Sequence, residues 1–302
     1  MDPKLTFDQQ LDWLNQHGIS IKGDEKDKIK YYLKFKSYFY KMISFVKNFN
    51  SSDNIDLITD FDMLADLSVL DMELRYCLLK TCLDIEHSTK TFLMRIITND
   101  SSEDGYNIVS KVIGNDDHPD NFKQKLFSSV SYRDSHGRLI IKHSYKAFYE
   151  NPPIWLILEI SSLGKLRSFV EFLSQERPNN KDLSQLRASF KYINRLRNKC
   201  AHNRILITQD IQSKSQNGIP HVIYSTLRND GLTRSEILTP LLLQIGLALR
   251  IHQSICSKES HSYRIDDLEN WYNRTQKHIE LYQAGIFAKF FEHVNKLRRI
   301  YQ

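Results

Sequence analysis

YINRLRNKCAHN, residues 192–203, is the stretch on which the reading of this chain turns. Upstream of it, Leu183, Leu186, Phe190 and Ile193 recur at three- and four-residue intervals, and Cys200 or Ala201 continues the series. That spacing marks one face of an amphipathic helix. Asp182 is the candidate N-cap, because its carboxylate can accept from an unpaired amide of the first turn. Arg197 comes four residues after Ile193 and seven after Phe190, in the middle of the apolar stripe. Burying a guanidinium is costly unless it is paired or meets a wet cleft, so Arg197 is either a structural ion pair or part of a site. His202 lies five residues on, about 140° around an ideal helix. Both side chains reach one site only if the helix ends or distorts at Ala201–Asn203, or if two subunits share the site.

The chain has 302 residues, enough for one extended helical domain or two small ones. Ten glycines and seven prolines are few, which suits long helices over many short strands. The net charge of +6 is compatible with a polyanionic partner without requiring one. No apolar run reaches the length of a membrane span, and MDPKLTFDQQ at the start does not read as a signal peptide, so a cytoplasmic location is expected. Cys77, Cys82, Cys200 and Cys256 form no C-x-x-C pair and read as free thiols. No Cys/His cluster has the spacing of a zinc site, and Asp116, Asp117 and His118 read as a solvated turn, so neither metal nor cofactor is expected.

Along the chain, Thr6 and Gln9 form a capping-box pattern before a short helix that Gly18 ends. A helix over about Asp24 to Phe49 has an aromatic body, with six rings between residues 31 and 40: Tyr31, Tyr32, Phe35, Tyr38, Phe39 and Tyr40. Lys30, Lys34, Lys36 and Lys41 interleave them. Such rings are either core, with the lysines as their solvated face, or a surface for single-stranded nucleic acid. A polar linker at 51–54 leads to a long helix over about Asp60 to Ile97, with Asp71–Arg75 and Glu86–Lys90 as i,i+4 pairs. Residues 99–120 are polar, with an irregular loop expected around GNDDHPD. A short helix is expected over 121–130, and a lid or edge loop over 131–149. Pro152 and Pro153 start an apolar helix in which Glu159 sits among Leu158, Ile160 and Leu163. Gly164 within that helix suggests close approach of a neighbour. Residues 204–208 and 221–226 are β-branched and alternate, as the arms of a hairpin would. Two or three further helices follow.

RNKCAH resembles the R-x4-6-H motif of the HEPN ribonuclease superfamily. The longer string LRNKCAHNRIL resembles the Abi-like family of abortive-infection proteins, of the AbiD/AbiF type. Two more stretches match in the expected order, DMELRYCLLKTCLDIEHSTK and PPIWLILEISSLGKLRSFVEFL, as does the short helix, glycine turn and Tyr-rich helix of the N-terminus. The likeness covers about Leu5 to Ile255. It implies a mainly α fold, a HEPN-type helical bundle, to which the residue pattern adds N- and C-terminal helices and one small β-hairpin. The chain then divides into an N-terminal helical extension (1–50), the core carrying the motif (55–256) and a C-terminal helical segment (257–302).

The resemblance also implies a homodimer with two motifs facing each other, and metal-independent cleavage of RNA. In that chemistry His202 is general acid or base, Arg197 stabilises the phosphorane, and Asn198 orients the motif or donates to phosphate. Glu86 and Glu159 are the candidate acidic partners of Arg197, with a surface pair to Lys90 as the other reading of Glu86. Arg195, Lys199 and Arg204 would hold the RNA backbone. The partners expected are an RNA substrate, a second copy of the chain and an inhibitor, either an antitoxin protein or a regulatory RNA. Two other functions fit the same residues. One is a non-catalytic RNA-binding protein acting with a noncoding RNA. The other is a helical interaction module in which Arg197 is only structural.

Overall fold

The computed structural model describes residues 4–50, 57–208, 211, 213–215, 218–282 and 285–302. Helices begin where the sequence supplies a cap. Thr6 and Gln9 bond reciprocally and open α1 (Phe7–Gln16). Gly18, at φ 85°, closes it: its amide donates to Asn15 and the Ile19 amide to Leu14. The helix expected over Asp24 to Phe49 is two helices, α2 (Lys26–Phe35) and α3 (Phe39–Phe49), parted at Tyr38, which is extended. The apolar phase explains the break. A continuous helix through Ile29 and Leu33 would turn Lys36 and Tyr40 inward. Breaking it buries Phe39, Met42, Phe45 and Val46 instead.

α4 (Phe61–Thr98) is the spine. Asp60 caps it by accepting from the Met63 amide at 2.8 Å, and its 38 residues span about 57 Å. The polar stretch after it contains a helix that charge counting hid, α5 (Asn107–Gly114), which buries Ile108, Val109 and Val112. α6 (Pro119–Leu126) follows, then a two-stranded antiparallel hairpin, β1 (Ser131–Arg133) with β2 (Leu139–Ile141), in which Tyr132 faces Ile140. The hairpin therefore lies in the stretch expected to be a lid. After α7 (His143–Lys146), the apolar helix is divided at Ser161–Ser162 into α8 (Ile154–Ile160) and α9 (Leu163–Glu176).

The motif helix is α10 (Lys181–Ala201). Asn180 rather than Asp182 is its cap, accepting from the Leu183 amide at 3.0 Å. The hairpin expected from 204–208 and 221–226 does not form, because residues 221–229 are helical: α11 (His221–Asn229) buries Ile223 and Leu227, one turn apart. β-Branched composition yielded there to burial of an i,i+4 pair. α12 (Arg234–Leu238), α13 (Pro240–Ile255), α14 (Lys258–Gln276) and α15 (Ile286–Ile300) complete the chain. The linker expected at 51–54 and parts of 209–220 lie outside the described residues.

The fold is mainly α with one small hairpin. α10 is central, packed on α4, α9 and α13, while α4 also carries α14. A single cluster of buried side chains runs from Leu11 to Tyr301, so the N- and C-terminal segments share their core with the middle of the chain. Three polar contacts lock the C-terminal helices. The Trp271 indole donates to the Leu70 carbonyl at 2.9 Å. His252 and His261 meet through their Nδ1 atoms at 3.0 Å, joining α13 to α14. Glu236 is buried on α12 and takes Lys296 (2.8 Å) and His293 (2.9 Å) from α15. Burial alone would raise the Glu236 carboxyl, but Lys296, Thr233 and His293 outweigh it and hold it at about 2. Among the described residues, no helix is long and apolar enough to cross a membrane.

Candidate active site

The end of α10 is a turn built with unusual care. Leu183, Leu186, Phe190, Ile193 and Cys200 are buried along the expected stripe, whereas Ala201 is exposed. The helix stops at Ala201. His202 is the C-cap, and Asn203 follows at φ 55°, the one non-glycine residue with positive φ among the described residues. The Asn203 amide donates to the Cys200 carbonyl (3.2 Å) and the Arg204 amide to that of Lys199 (3.0 Å), the two bonds of a Schellman motif. The helix ends by Asn203, one of the two conditions for Arg197 and His202 to share a site, while Arg197 itself bonds Asn198.

What holds the turn is the pair Asp71–Arg75 on α4. The expectation of an i,i+4 pair is met, but it is not a surface pair. Both side chains are buried, at 0% and 1% exposure, with Arg75 Nε 2.9 Å from Asp71 Oδ2. The other Asp71 oxygen accepts from the Leu206 (2.7 Å) and Ile207 (2.9 Å) amides, just past the motif. Arg75 Nη1 donates to the Asn203 side-chain oxygen, which also takes Lys41 Nζ from α3 at 3.2 Å. Burial, and then the Arg75 charge, push the Lys41 amine below its usual range, with Asp71 opposing. One amide oxygen thus gathers two cations. Asparagine takes this left-handed turn position more readily than other residues with a side chain, and here Arg75 and Lys41 fix its amide oxygen.

α4 and α10 run antiparallel past each other. Asp71 and Arg75 meet residues 203–207, and farther along Cys82 lies within electrostatic reach of Cys200, Arg197 and Glu86. Arg197 is half-buried. Its Nη1 donates to Asn198 Oδ1 at 3.2 Å, and its Nε is buried with no hydrogen-bond partner among the described residues. Glu86 Oε2 is likewise buried and unpartnered, so the expected ion pair between the two does not form. The Glu86–Lys90 pair does not form either, since Lys90 Nζ donates to the Glu159 carbonyl at 3.3 Å. Glu159 projects into solvent, so it cannot be the buried partner of an arginine. Its apolar neighbours in sequence misled because α8 is short and turns that one position outward.

Arg195, Asn198, Lys199 and His202 follow one another at helical spacing and share a face of α10. Arg195 and His202 are exposed on it, Asn198 and Lys199 half-buried, and Arg204 is exposed just beyond. Asn198 touches both faces: its side chain holds Arg197, and its carbonyl accepts the His202 amide at 3.0 Å. Gly164 meets this helix at Asn194, where an added Cβ would sit 3.7 Å from the side-chain nitrogen. That is ordinary contact, so α10 is the expected neighbour but does not demand a glycine. Nucleophilic thiols are not on offer in the seam. Burial pushes Cys200 up to about 12 and Cys82 well above its ordinary value. Among the described residues, no group of three or more His, Cys, Asp or Glu side chains could hold a metal ion.

Sequence reasoning missed Asn203, Lys41 and the burial of Asp71–Arg75. A signal existed for Asn203 alone, since asparagine after the last residue of a helical period is a C-terminal stop.

The architecture is that of a mainly helical protein whose central helix presents an arginine and a histidine at a pinned C-terminal turn. Residues 27–208 match the Abi-like protein family, and the chain belongs to that family. The match takes in α2 to α10 with the whole of the seam, and it points to a function in abortive infection. No curated protein and no solved structure matches the chain.

Proposed function

We propose that this protein is a metal-independent endoribonuclease of an antiphage abortive-infection system. The observation that carries the reading is the left-handed Asn203, held by Arg75 and Lys41, which fixes the exposed His202 at the end of α10.

The chemistry follows from RNA itself. The 2′-hydroxyl attacks the adjacent phosphorus, forming a P–O2′ bond as the P–O5′ bond breaks. His202 takes the 2′ proton or delivers one to the departing 5′ oxygen. Arg197 supplies planar donors to the phosphorane oxygens, where charge builds in the transition state. Asn198 keeps the guanidinium oriented, and Arg195, Lys199 and Arg204 attract the backbone. The products are a 2′,3′-cyclic phosphate and a 5′-hydroxyl. DNA, lacking the 2′-hydroxyl, is not cut. In this reading two copies pair with their motifs facing, each histidine serving one of the two proton transfers. An antitoxin protein or a regulatory RNA restrains the pair in the cytoplasm until infection.

Expression of wild type and His202→Ala in bacteria, with growth measured and RNA 5′ ends sequenced, tests the proposal. New 5′-hydroxyl ends and growth arrest that require His202 are expected. Equal toxicity of the two proteins, or RNA binding with no cleavage by any form, would overturn it.

A further inference from the structure

The aromatic segment before the motif does not behave as core. Tyr31, Phe35, Tyr38 and Tyr40 are 58%, 64%, 59% and 54% exposed, while only Phe39 of the six rings is buried. Four large rings facing water at the α2–α3 junction form an apolar surface that folding alone does not explain. Tyr31 and Phe35 lie against each other on α2, with centroids 4.9 Å apart, and Lys34 Nζ sits 5.1 Å from the Phe35 ring. Tyr38 and Tyr40 flank the break that leads into α3.

Apart from Asp27, one turn before Tyr31, the charge along the chain through these rings has one sign. From Lys28 to Asn50 the chain contains no Asp or Glu. Lys28 and Lys30 are neutralised by Asp62 and Asp8, but Lys34 and Lys36 have no ion-pair partner among the described residues. Lys41, one residue past Tyr40, is the lysine that bonds Asn203 in the motif turn. The exposed rings therefore lead, through one side chain, to the turn that carries His202. A second copy of the chain docked face to face at this surface would bring lysine against lysine. A single-stranded polyanion whose bases stack on rings satisfies both the charge and the apolar surface.

We propose that Tyr31, Phe35, Tyr38 and Tyr40, with Lys34 and Lys36, form a landing platform for single-stranded RNA that feeds the strand toward His202. The platform rests on the ribonuclease reading and adds the form of the substrate: unpaired, with its bases available for stacking. A duplex, whose bases are already stacked on one another, gains nothing from the rings.

The test uses the full-length chain carrying His202→Ala, to prevent cleavage, and a fluorescein-labelled 12-nucleotide oligouridylate, with an RNA duplex of equal length as control. Phe35→Ala and Tyr38→Ala should each weaken binding of the oligouridylate about tenfold and leave duplex binding unchanged. Because the rings are exposed, circular dichroism should show these variants folded. Lys34→Gln with Lys36→Gln should lower the salt dependence of log K by about 1.4. Unchanged affinity in the ring variants, alongside persistent His202-dependent 5′-hydroxyl ends, would remove the platform and leave the nuclease. A ring variant that binds RNA normally but loses mass in light scattering would make the face a self-association surface and overturn the platform. Failure of every form to bind or cut RNA would sink both readings.

Discussion

The ends of α1 and α10 are made from the same backbone hydrogen bonds, yet they differ in the residue at the left-handed position. At α1 it is Gly18, which bears φ 85° without steric cost and has no side chain to engage anything. α11 ends in the same way at Gly231, whose amide bonds Arg228 while that of Leu232 bonds Leu227. At α10 the position is Asn203. Where the chain only has to stop a helix it uses glycine. Next to His202 it accepts backbone strain and gains an amide oxygen that ties α10 to α4 through Arg75 and to α3 through Lys41. The motif turn is held through the side chain at the left-handed position itself, whereas the other two ends are held by neighbours of their glycines, His17 through Asn50 and Asp230 through Arg250 and Tyr301.

That contrast can be broken most sharply at the residue the turn displays. His202→Ala should reduce RNA cleavage by about 10²–10⁴-fold. Because the side chain is exposed, stability in urea should move by no more than about 0.5 kcal/mol. An equal loss of stability would make His202 part of the scaffold. Next in size is Arg75→Ala, which leaves Asp71 as an uncompensated buried charge beneath the turn. Urea denaturation should show a loss of about 3–5 kcal/mol. Asn203→Gly relieves the backbone but removes the acceptor shared by Arg75 and Lys41. A net loss of about 2 kcal/mol is expected, and a gain in stability would show that the amide oxygen does not hold the turn. The smallest effect is at the comparison helix: Gly18→Ala should cost about 1 kcal/mol, with activity unchanged.

A second contrast runs along the α4–α10 seam. At Asp71–Arg75 the carboxylate is closed by Arg75 and by the Leu206 and Ile207 amides, and Arg75 also bonds Asn203, although its Nη2 is buried with no hydrogen-bond partner among the described residues. At Glu86 and Arg197 a buried oxygen and a buried nitrogen remain unpartnered. The first arrangement is structural. The second leaves a half-buried arginine tied to its neighbour Asn198, whose backbone carbonyl also takes the His202 amide.

Much of the fold was legible in residue order. The capping box at Thr6, the stop at Gly18, the spine from Asp60 and the motif helix all rest on local rules, where caps and a helical period act within one turn. The errors came where local preference was outvoted. The β-branched run at 221–226 became helix because Ile223 and Leu227 bury together. The aromatic helix broke at Tyr38 because its apolar phase slips by one residue. Polar composition around 99–120 concealed α5, whose three buried positions are too few to dominate a window. Glu159 read as buried because apolar neighbours in sequence are not neighbours around a helix.

The sequence by itself determined that this is a helical protein with an arginine and a histidine at the end of one long apolar stripe, because period and capping are properties of short segments. Only the tertiary structure decided that Asp71 and Arg75 lie buried beneath the turn and that Asn203 gathers two cations. It also decided that Arg197 and Glu86 stay unpaired and that four of the six rings face water. Burial and pairing depend on which helices pack together, and residues 128 or 162 positions apart, as Arg75 and Lys41 are from Asn203, carry no mark in the chain that they will meet.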